Sequence, residues 1–270
     1  MGVLNVTPDS FSDGGLYLDR DAAIAHGLTM AEEGAALIDV GGESSRPGAQ
    51  PVEEPVELAR VVPVIEALAP RVRVSVDTVK PAVAEAAVRA GATLINDVSA
   101  GLAGVAAALG VGWVAMHRQG TPQTMQRAPA YRDVVAEVRQ FLDDRAHRAR
   151  RLGVEEVWID PGIGFGKTAG HNLSLLRHLG SLAALGFPLL VGTSRKGFLG
   201  RLSALPGQPP APPSDRLEAS LASAVWAVDQ GASMVRVHDV APTVQALRVA
   251  GPGRVRSVPP EEGVQAGEDR

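Results

Sequence analysis

Short apolar runs alternate regularly with longer helical stretches along this chain, and that alternation constrains its fold more than any other feature. The runs are rich in valine, leucine and isoleucine, which is typical of strands buried on both faces. Eight alternations predict parallel strands in a single α/β domain and favour a closed (β/α)8 TIM barrel; an open doubly wound sheet is the alternative. The predicted strands are residues 3–6, 37–40, 72–76, 93–95, 113–116, 157–159, 189–191 and 234–237.

The segments between the predicted strands have helical spacing and end in the residues expected there. Glycine follows six of them, where a left-handed backbone commonly ends a helix, and Pro81 begins one. We therefore expect a barrel over residues 1–250, an exposed proline-rich insertion over 203–214 and a polar, poorly ordered tail over 251–270. The clearest predicted helices are residues 21–33, 56–68, 82–89, 131–152, 172–185 and 215–229, and the six glycines are Gly34, Gly91, Gly110, Gly153, Gly186 and Gly231.

The composition excludes several classes of protein. The chain has 270 residues, no cysteine and a net charge of −4, which argues against disulfides, thiolate chemistry and nucleic-acid or anionic-membrane partners. It has no apolar run long enough to span a bilayer and no visible signal peptide, so we expect a cytoplasmic protein. Of its 26 basic residues only Lys80, Lys167 and Lys196 are lysines, and all three follow predicted strand ends, which favours specific roles for them.

Polar residues collect at the carboxyl ends of the predicted strands, which is the end of a barrel that carries chemistry. Asp77, Asn96 and Asp160 offer carboxylate acceptors and an amide, a set that suits a flat heterocycle with an amino-pyrimidinone edge. The alternative is that these residues only hold loops. Lys196 follows the seventh strand, where its amine can donate to a ring carbonyl or form a Schiff base, which leaves an aldolase-type reaction open.

A second group of strand-end residues suits a polyanion. Arg46, Arg236 and His238 can neutralise phosphate oxygens, and the amide oxygen of Asn5 can complete a magnesium shell. The alternatives are a solvated loop cation for Arg46 and a structural histidine for His238. Arg46 stands in a loop rich in glycine and proline, which predicts a mobile lid.

Three familiar motifs are incomplete or absent in this sequence. Residues 164–168 (GFGKT) are similar to the end of a phosphate-binding P-loop, but the first glycine of that motif would stand at Pro161. No dinucleotide-binding glycine motif follows the first predicted strand. His117, His171 and His178 do not have the spacing of zinc ligands.

Two long segments resemble the signatures of dihydropteroate synthases. They are residues 1–15 (MGVLNVTPDSFSDGG) and 41–48 (GGESSRPG), and the resemblance extends over roughly residues 1–250. Shorter motifs follow in the order typical of that family, at residues 77–78 (DT), 95–97 (IND), 160–167 (DPGIGFGK), 194–196 (SRK) and 236–239 (RVHD).

The resemblance implies a homodimeric, Mg²⁺-dependent transferase of folate biosynthesis with two small-molecule substrates. It joins p-aminobenzoate to 6-hydroxymethyl-7,8-dihydropterin diphosphate, giving 7,8-dihydropteroate and pyrophosphate. It makes Asp77, Lys196 and Arg46 the candidate catalytic residues. The implied pterin site is Asp77, Asn96, Met116, Asp160 and Lys196, the diphosphate site is Asn5, Arg46, Arg236 and His238 with Asn5 as metal ligand, and the p-aminobenzoate site is Phe11, Ser45, Pro47 and Ser194.

The chain departs from the family pattern at three places. Ser45 replaces the usual threonine, which keeps the hydroxyl and loses a methyl group. Arg118 stands where the family usually has methionine, which alters the expected rim of the pocket. The family usually has a strand or hairpin before the first signature that covers the bottom of the barrel, whereas Met1 already lies inside the signature, so stability at that end is in question.

Two other classes of pterin protein share part of this pattern. A related barrel transfers the methyl group of methyltetrahydrofolate to a corrinoid protein, but it would not need Arg46, Arg236 or His238. A non-catalytic pterin-binding protein would bind the pterin diphosphate without releasing pyrophosphate. The long signatures favour the synthase.

Overall fold

The computed structural model describes residues 1–7 and 16–251, with side chains described from residue 20 onward in the second range. All eight predicted strands are present, with ends that differ by a few residues from those predicted. The predicted 251–270 tail lies almost entirely outside the described residues. The strands are β1 (Gly2–Asn5), β2 (Ile38–Gly41), β3 (Val74–Asp77), β4 (Leu94–Asp97), β5 (Gly112–Met116), β6 (Val157–Asp160), β7 (Leu190–Val191) and β8 (Met234–Val235).

The strands close into a barrel in chain order, as predicted. Parallel ladders join β1 to β6 in succession, and a further ladder joins β7 to β8. A bridge between Ile159 and Leu189 continues β6 into β7, and one between Gly2 and Val237 returns β8 to β1. At that last junction the amide of Val3 donates to the Val237 carbonyl over 2.9 Å, and the amide of Val237 donates to the Met1 carbonyl over 2.9 Å.

Helices surround the barrel. Three of them, over residues 103–109, 197–203 and 240–250, were not among the helices predicted from the sequence. The predicted helix over 172–185 is divided at His178, and the segment over 203–214 is largely exposed, as predicted. All six glycines expected to end helices have positive φ. The helices are α1 (Leu16–Glu32), α2 (Glu54–Leu68), α3 (Pro81–Arg89), α4 (Ala103–Leu109), α5 (Val134–Arg151), α6 (Ala169–Arg177), α7 (Leu179–Ala183), α8 (Gly197–Ser203), α9 (Leu217–Asp229) and α10 (Val240–Ala250).

Alternate residues of each strand face the barrel interior, and this period of two separates an apolar layer from a polar one. The outward residues join the large core beneath the helices. The first inward position of most strands belongs to a small apolar cluster, whereas the next inward positions carry charges and amides. The cluster at the lower end consists of Met1, Leu37, Leu94, Val114 and Leu190, with Trp158 and Met234 packed against it.

The barrel is therefore apolar where its strands begin and polar where they end. Met1 itself is buried in the lower cluster, and its amino group donates to the Val235 carbonyl over 3.0 Å. None of the helices in the described ranges combines the length and apolar character needed to cross a membrane.

Candidate active site

The polar layer opens at the carboxyl ends of the strands into a cleft of about 420 Å³. Six of its lining residues belong to the polar set that the sequence placed at strand ends, and they come from strands that are far apart in the chain. The lining residues are Val3, Ser45, Asp77, Asn96, Val98, Met116, Asp160, Phe165, Gly192, Ser194, Lys196, Arg236 and His238.

An ion-pair network holds the floor of this cleft. The Nε of Arg236 lies 2.6 Å from Asp39 Oδ2, and its Nη2 lies 2.9 Å from Asp77 Oδ2. Asp39 is fully buried and also accepts hydrogen bonds from Ser75 Oγ and from Asn96 Nδ2, the latter over 2.8 Å. One buried carboxylate therefore orients both the arginine and the amide that face the cleft.

Asp77 has an unusual protonation equilibrium because it is deeply buried. Burial raises its pKa to about 7, and the nearby guanidinium of Arg236 opposes that rise. The carboxylates of Asp39, Glu57 and Asp97 raise it further. A carboxyl group that titrates near neutrality inside a cleft is a frequent mark of a functional site.

Asn96 presents a buried acceptor that the protein leaves unsatisfied. Its Nδ2 donates to Asp39, which fixes the orientation of the amide. Its Oδ1 is buried and, within residues 1–7 and 16–251, has no hydrogen-bond partner. Leaving a buried carbonyl oxygen unpaired costs about 1–3 kcal/mol. Asn96 lines the cleft together with Asp77 and Asp160, so a bound N–H donor that reaches this oxygen would satisfy it.

Asp160 and Lys196 form the opposite wall of the cleft. Burial raises the pKa of Asp160, and Lys196 opposes that rise. Burial lowers the pKa of Lys196 to about 8, with Asp160 opposing. The Lys196 amine donates to the Ile163 carbonyl and lies 4.7 Å from the centre of the Phe165 ring. The wall thus combines an acceptor, a donor and an aromatic face.

A second cleft adjoins the first at His238. It is lined among others by Asn5, Arg46 and Arg195. Burial lowers the pKa of His238 to about 3, and the cations Arg236, Arg195 and Arg46 contribute to that shift. His238 is therefore neutral near pH 7, and its Nδ1 lies 3.0 Å from Ser194 Oγ. Cations gathered around one opening are suited to an anionic ligand.

The loop after β6 contains a glycine at a position where any side chain would collide with a neighbouring backbone segment. Gly162 has a φ of +63°, and a Cβ there would stand 1.9 Å from the carbonyl oxygen of His117. Lys167 secures the same loop from below, because its buried amine donates to the Gly162 carbonyl over 3.0 Å and contacts His117 Nδ1 at 2.9 Å. Asp160 Oδ1 accepts from the Gly162 amide over 2.7 Å.

We expect the Gly162→Ala variant to be less stable by about 2 kcal/mol or more, because the new methyl group forces the loop away from His117. Urea unfolding followed by circular dichroism measures the change. Gly104→Ala is the matched control, since that position lies in α4 with no atom within 4 Å of the added Cβ. The control should be more stable by roughly 0.5–1 kcal/mol. Equal stabilities for the two variants would contradict this account of the loop.

Comparisons with known proteins bear on what this site binds. A profile of the pterin binding enzyme family matches residues 1–238. The dihydropteroate synthase of Mycobacterium leprae is 50% identical over 260 residues, which cover 93% of this chain and 92% of the relative. The chain belongs to the dihydropteroate synthase family. The barrel and the pterin-binding character predicted from the sequence are thereby confirmed.

Solved dihydropteroate synthases share the fold closely. The Xanthomonas albilineans enzyme with 4-aminobenzoic acid is 49% identical and superimposes with a TM-score of 0.84, covering 92% of this chain and 90% of that one. The same enzyme in complex with 7,8-dihydropteroate is 47% identical with a TM-score of 0.81, covering 92% of this chain and 90% of that one.

The structure brings most of the predicted site residues of this family member to the two clefts. The predicted pterin set lines the first cleft completely, together with Ser45 and Ser194. Asn5 and Arg46 line the second cleft, His238 lines both, and Arg236, the remaining predicted diphosphate ligand, lines only the first. Pro47 is exposed and lines neither, and Phe11 lies outside the described residues. The individual binding roles remain predictions.

Asp39 is the site residue that the sequence analysis missed. It lies inside a predicted strand and not at its end, whereas the predicted site consists of polar residues that follow strands. A signal was available, because Asp39 and Gly41 share the inward face of β2 by their spacing of two, and a lone carboxylate facing a barrel interior needs a cationic partner. Arg236 is that partner.

The residues near Asn5 leave space for the predicted magnesium ion. Gly41 has no side chain, and a Cβ there would make ordinary contact with Asp77 Cβ at 3.5 Å and with Asn5 Oδ1 at 3.7 Å, so the glycine leaves room for one small group beside Asn5. Within the described ranges, no three histidine, aspartate or glutamate side chains converge as a ready-made metal cage. Mg²⁺ commonly keeps its waters and binds one or two protein oxygens together with phosphate oxygens, which this arrangement allows.

Proposed function

We propose that the chain condenses 6-hydroxymethyl-7,8-dihydropterin diphosphate with p-aminobenzoate, releasing pyrophosphate and forming 7,8-dihydropteroate. The single observation that carries the proposal is the unpaired Oδ1 of Asn96, a residue that lines a cleft walled by two carboxylates and a lysine. This set of acceptors and one donor complements the amino-pyrimidinone edge of a pterin. Membership of the dihydropteroate synthase family supports the same reaction.

The pterin is held in this proposal by hydrogen bonds along its polar edge. Asn96 Oδ1 and the carboxylates of Asp77 and Asp160 accept from ring and amino N–H groups, and the Lys196 amine donates to the ring carbonyl and nitrogen. Met116 packs beside the ring. The pairing with Asp39 and Asp77 holds Arg236 in place at the floor, where it supports this geometry.

The diphosphate occupies the cationic cleft in this proposal. Arg46 and His238 donate to its oxygens from this cleft, Arg236 donates from the adjoining first cleft, and the amide oxygen of Asn5 would hold Mg²⁺. When bound, the magnesium ion neutralises part of the charge on the leaving pyrophosphate. Arg46 is exposed in the loop after β2 and already lines this cleft, where its guanidinium can reach a bound diphosphate.

The reaction needs charge stabilisation and positioning and no covalent enzyme intermediate. The bond between the methylene carbon and the diphosphate oxygen breaks with its electron pair leaving on pyrophosphate. The p-aminobenzoate nitrogen then bonds to that carbon and releases a proton. The carboxylate of Asp77 stabilises positive charge on the pterin and methylene, and residues Phe11, Ser45, Pro47 and Ser194 position the weak aniline nucleophile.

Pyrophosphate release tests the proposal directly. Purified protein is mixed with the pterin diphosphate, p-aminobenzoate and Mg²⁺, and both pyrophosphate and dihydropteroate are measured. We expect the two products in equal amounts, and none when either substrate is left out. A folded protein that binds the pterin diphosphate without releasing pyrophosphate would instead be a non-catalytic pterin-binding protein. Trapping of Lys196 by borohydride with a carbonyl substrate would indicate Schiff-base chemistry.

The pH dependence of kcat/KM is expected to be bell-shaped and narrow. Burial raises the pKa of Asp77 to about 7, so activity falls as the carboxylate gains a proton below that pH. Burial lowers the pKa of Lys196 to about 8, so activity also falls as the amine loses its proton above that pH. The two apparent pKa values of this pH profile belong to the coupled network of ionisable groups and not to either residue alone. Constant kcat/KM from about pH 6 to 9 would contradict these assignments.

We also propose a cytoplasmic homodimer, which the family resemblance supports. Size-exclusion chromatography with light scattering measures the oligomeric state, and a monomer at assay concentrations would remove that part of the proposal.

A further inference from the structure

The loop that joins β2 to α2, residues 42–53, is fastened to the barrel by contacts that no substrate would touch. Its first residue packs directly on α2, because a Cβ on Gly42 would stand 2.8 Å from Val61 Cγ1 and 3.0 Å from Glu57 Cγ. The Gly42 carbonyl accepts a hydrogen bond from Arg60 Nη1 over 2.8 Å. The base of the loop is thus fixed to the helix that follows it.

Lys80 ties this loop to the next βα unit. It precedes α3, and its Nζ lies 2.6 Å from Glu43 Oε2 in the loop. The same amine forms an ion pair with Glu57 of α2, whose side chain is only 1% exposed. Thr78 completes the group, since its hydroxyl donates to Glu57 Oε1 over 2.7 Å and accepts from the Lys80 amide over 3.2 Å. Two consecutive βα units of the barrel therefore meet at one ammonium group.

Glu43 also closes the loop on itself. Its Oε2, the atom that receives Lys80, accepts a hydrogen bond from the Val52 amide over 2.8 Å. A single carboxylate oxygen thus joins the beginning of the loop to its end. Between these two points lie Ser45, which lines the first cleft, and Arg46, which lines the second.

The far side of the loop rests on the segment after β5. The Gly48 amide donates to the Pro122 carbonyl over 2.9 Å, and Gln123 Nε2 donates to the Ala49 carbonyl over 2.8 Å. These contacts involve exposed residues, whereas the group at the base is largely buried. The base is therefore the firmer of the two attachments, and it determines where Ser45 and Arg46 stand.

We propose that Lys80 is a positioning residue for the second substrate: through Glu43 it holds the 42–53 loop in the arrangement that binds p-aminobenzoate. The inference rests on the proposed function for the identity of that substrate. Lys80 lines neither cleft, so it acts through the loop and not by contact. Binding of the pterin ring depends on it less, because only Asp77 belongs to the same βα unit as Lys80 and the other proposed pterin contacts come from later units.

Two variants separate fastening of the loop from stability of the core. Glu43→Gln breaks the ion pair at the loop and leaves Lys80 paired with Glu57. Lys80→Met breaks both pairs and leaves the buried Glu57 without a cation; the double variant Glu57→Gln/Lys80→Met removes that unpaired charge. Lys80→Arg restores the charge. Arg89→Met is the matched control, because it removes an exposed cation of the same helix that pairs only loosely, at 3.9 Å, with Glu85.

The first measurement is steady-state kinetics on the full-length protein. We expect Lys80→Met and Glu43→Gln to raise the KM for p-aminobenzoate about tenfold, while the Kd for 6-hydroxymethyl-7,8-dihydropterin, which lacks the diphosphate that Arg46 contacts in this proposal, changes less than about threefold. Lys80→Arg should recover part of the loss, and Arg89→Met should match the parent protein. An unchanged KM in both loop variants, or an equal loss of pterin affinity, would overturn the proposal.

The second measurement does not need activity. Hydrogen exchange followed by mass spectrometry reports the protection of the Val52 amide, which is bonded to Glu43. Peptides covering residues 42–52 should exchange faster in both loop variants, while peptides from α3 stay protected. If the parent protein releases no pyrophosphate but this exchange pattern is seen, the proposed reaction fails and the fastening role of Lys80 stands. Unchanged exchange would refute the fastening itself.

Discussion

The Asp77→Asn variant is expected to lose about a thousandfold in kcat/KM while keeping its fold. Asparagine has nearly the same shape and can still accept a hydrogen bond from Arg236, so the network at the floor of the cleft survives. What disappears is the negative charge that the proposed reaction places beside the reacting methylene. Because Asp77 is buried, that charge acts in a medium of low polarity, where its effect on a developing cation is large.

Single-turnover and steady-state assays of pyrophosphate release measure this loss, and calorimetric binding of pterin diphosphate shows whether the pterin site is intact. Asp144→Asn is the control, since Asp144 is an exposed residue of α5 whose side chain accepts a hydrogen bond from Gln140 Nε2 over 3.0 Å. We expect the control to have normal turnover. Near-normal turnover of Asp77→Asn would remove Asp77 from the chemical step and leave it a role in binding alone.

The barrel was predictable because each strand carries its own signal. A short apolar run followed by polar residues repeats eight times, and closure follows once eight parallel strands are accepted. The helices were less predictable from the sequence than the strands. α4 has only seven residues, mostly alanine, and α8 follows the SRK motif directly, so neither shows a long helical period. Their positions are set by packing on the barrel, which local sequence does not reveal.

The site was predictable where side chains follow strands and less so where they lie within them. Asp77, Asn96 and Asp160 were identified from their position and converge as expected. Lys80 and Lys167 were noted only as rare lysines after strands. Their partners Glu57 and His117 lie on other segments of the chain, and no spacing in the sequence links them.

Asp39 shows the same limit most clearly, because its partner Arg236 is 197 residues away. We expect Asp39→Leu to lower the free energy of unfolding by about 3–5 kcal/mol, which is the usual cost of removing one member of a buried ion pair. The loss arises because Arg236, whose side chain is 21% exposed, keeps its charge with one carboxylate fewer. Asn96 also loses the acceptor that orients its amide. Urea unfolding measures the change.

A double-mutant cycle shows whether the loss of stability comes from breaking the ion pair between Asp39 and Arg236 or from removing the other contacts of Asp39. Arg236→Met removes the other charge, and in the double variant Asp39→Leu/Arg236→Met no cation is left facing an apolar side chain. We expect the double variant to be more stable than the sum of the single losses predicts, by at least about 1.5 kcal/mol. Additive losses would show that the two residues contribute separately. In that case Asp39 would stabilise the floor through Ser75 and Asn96, and Arg236 would be held by Asp77 alone.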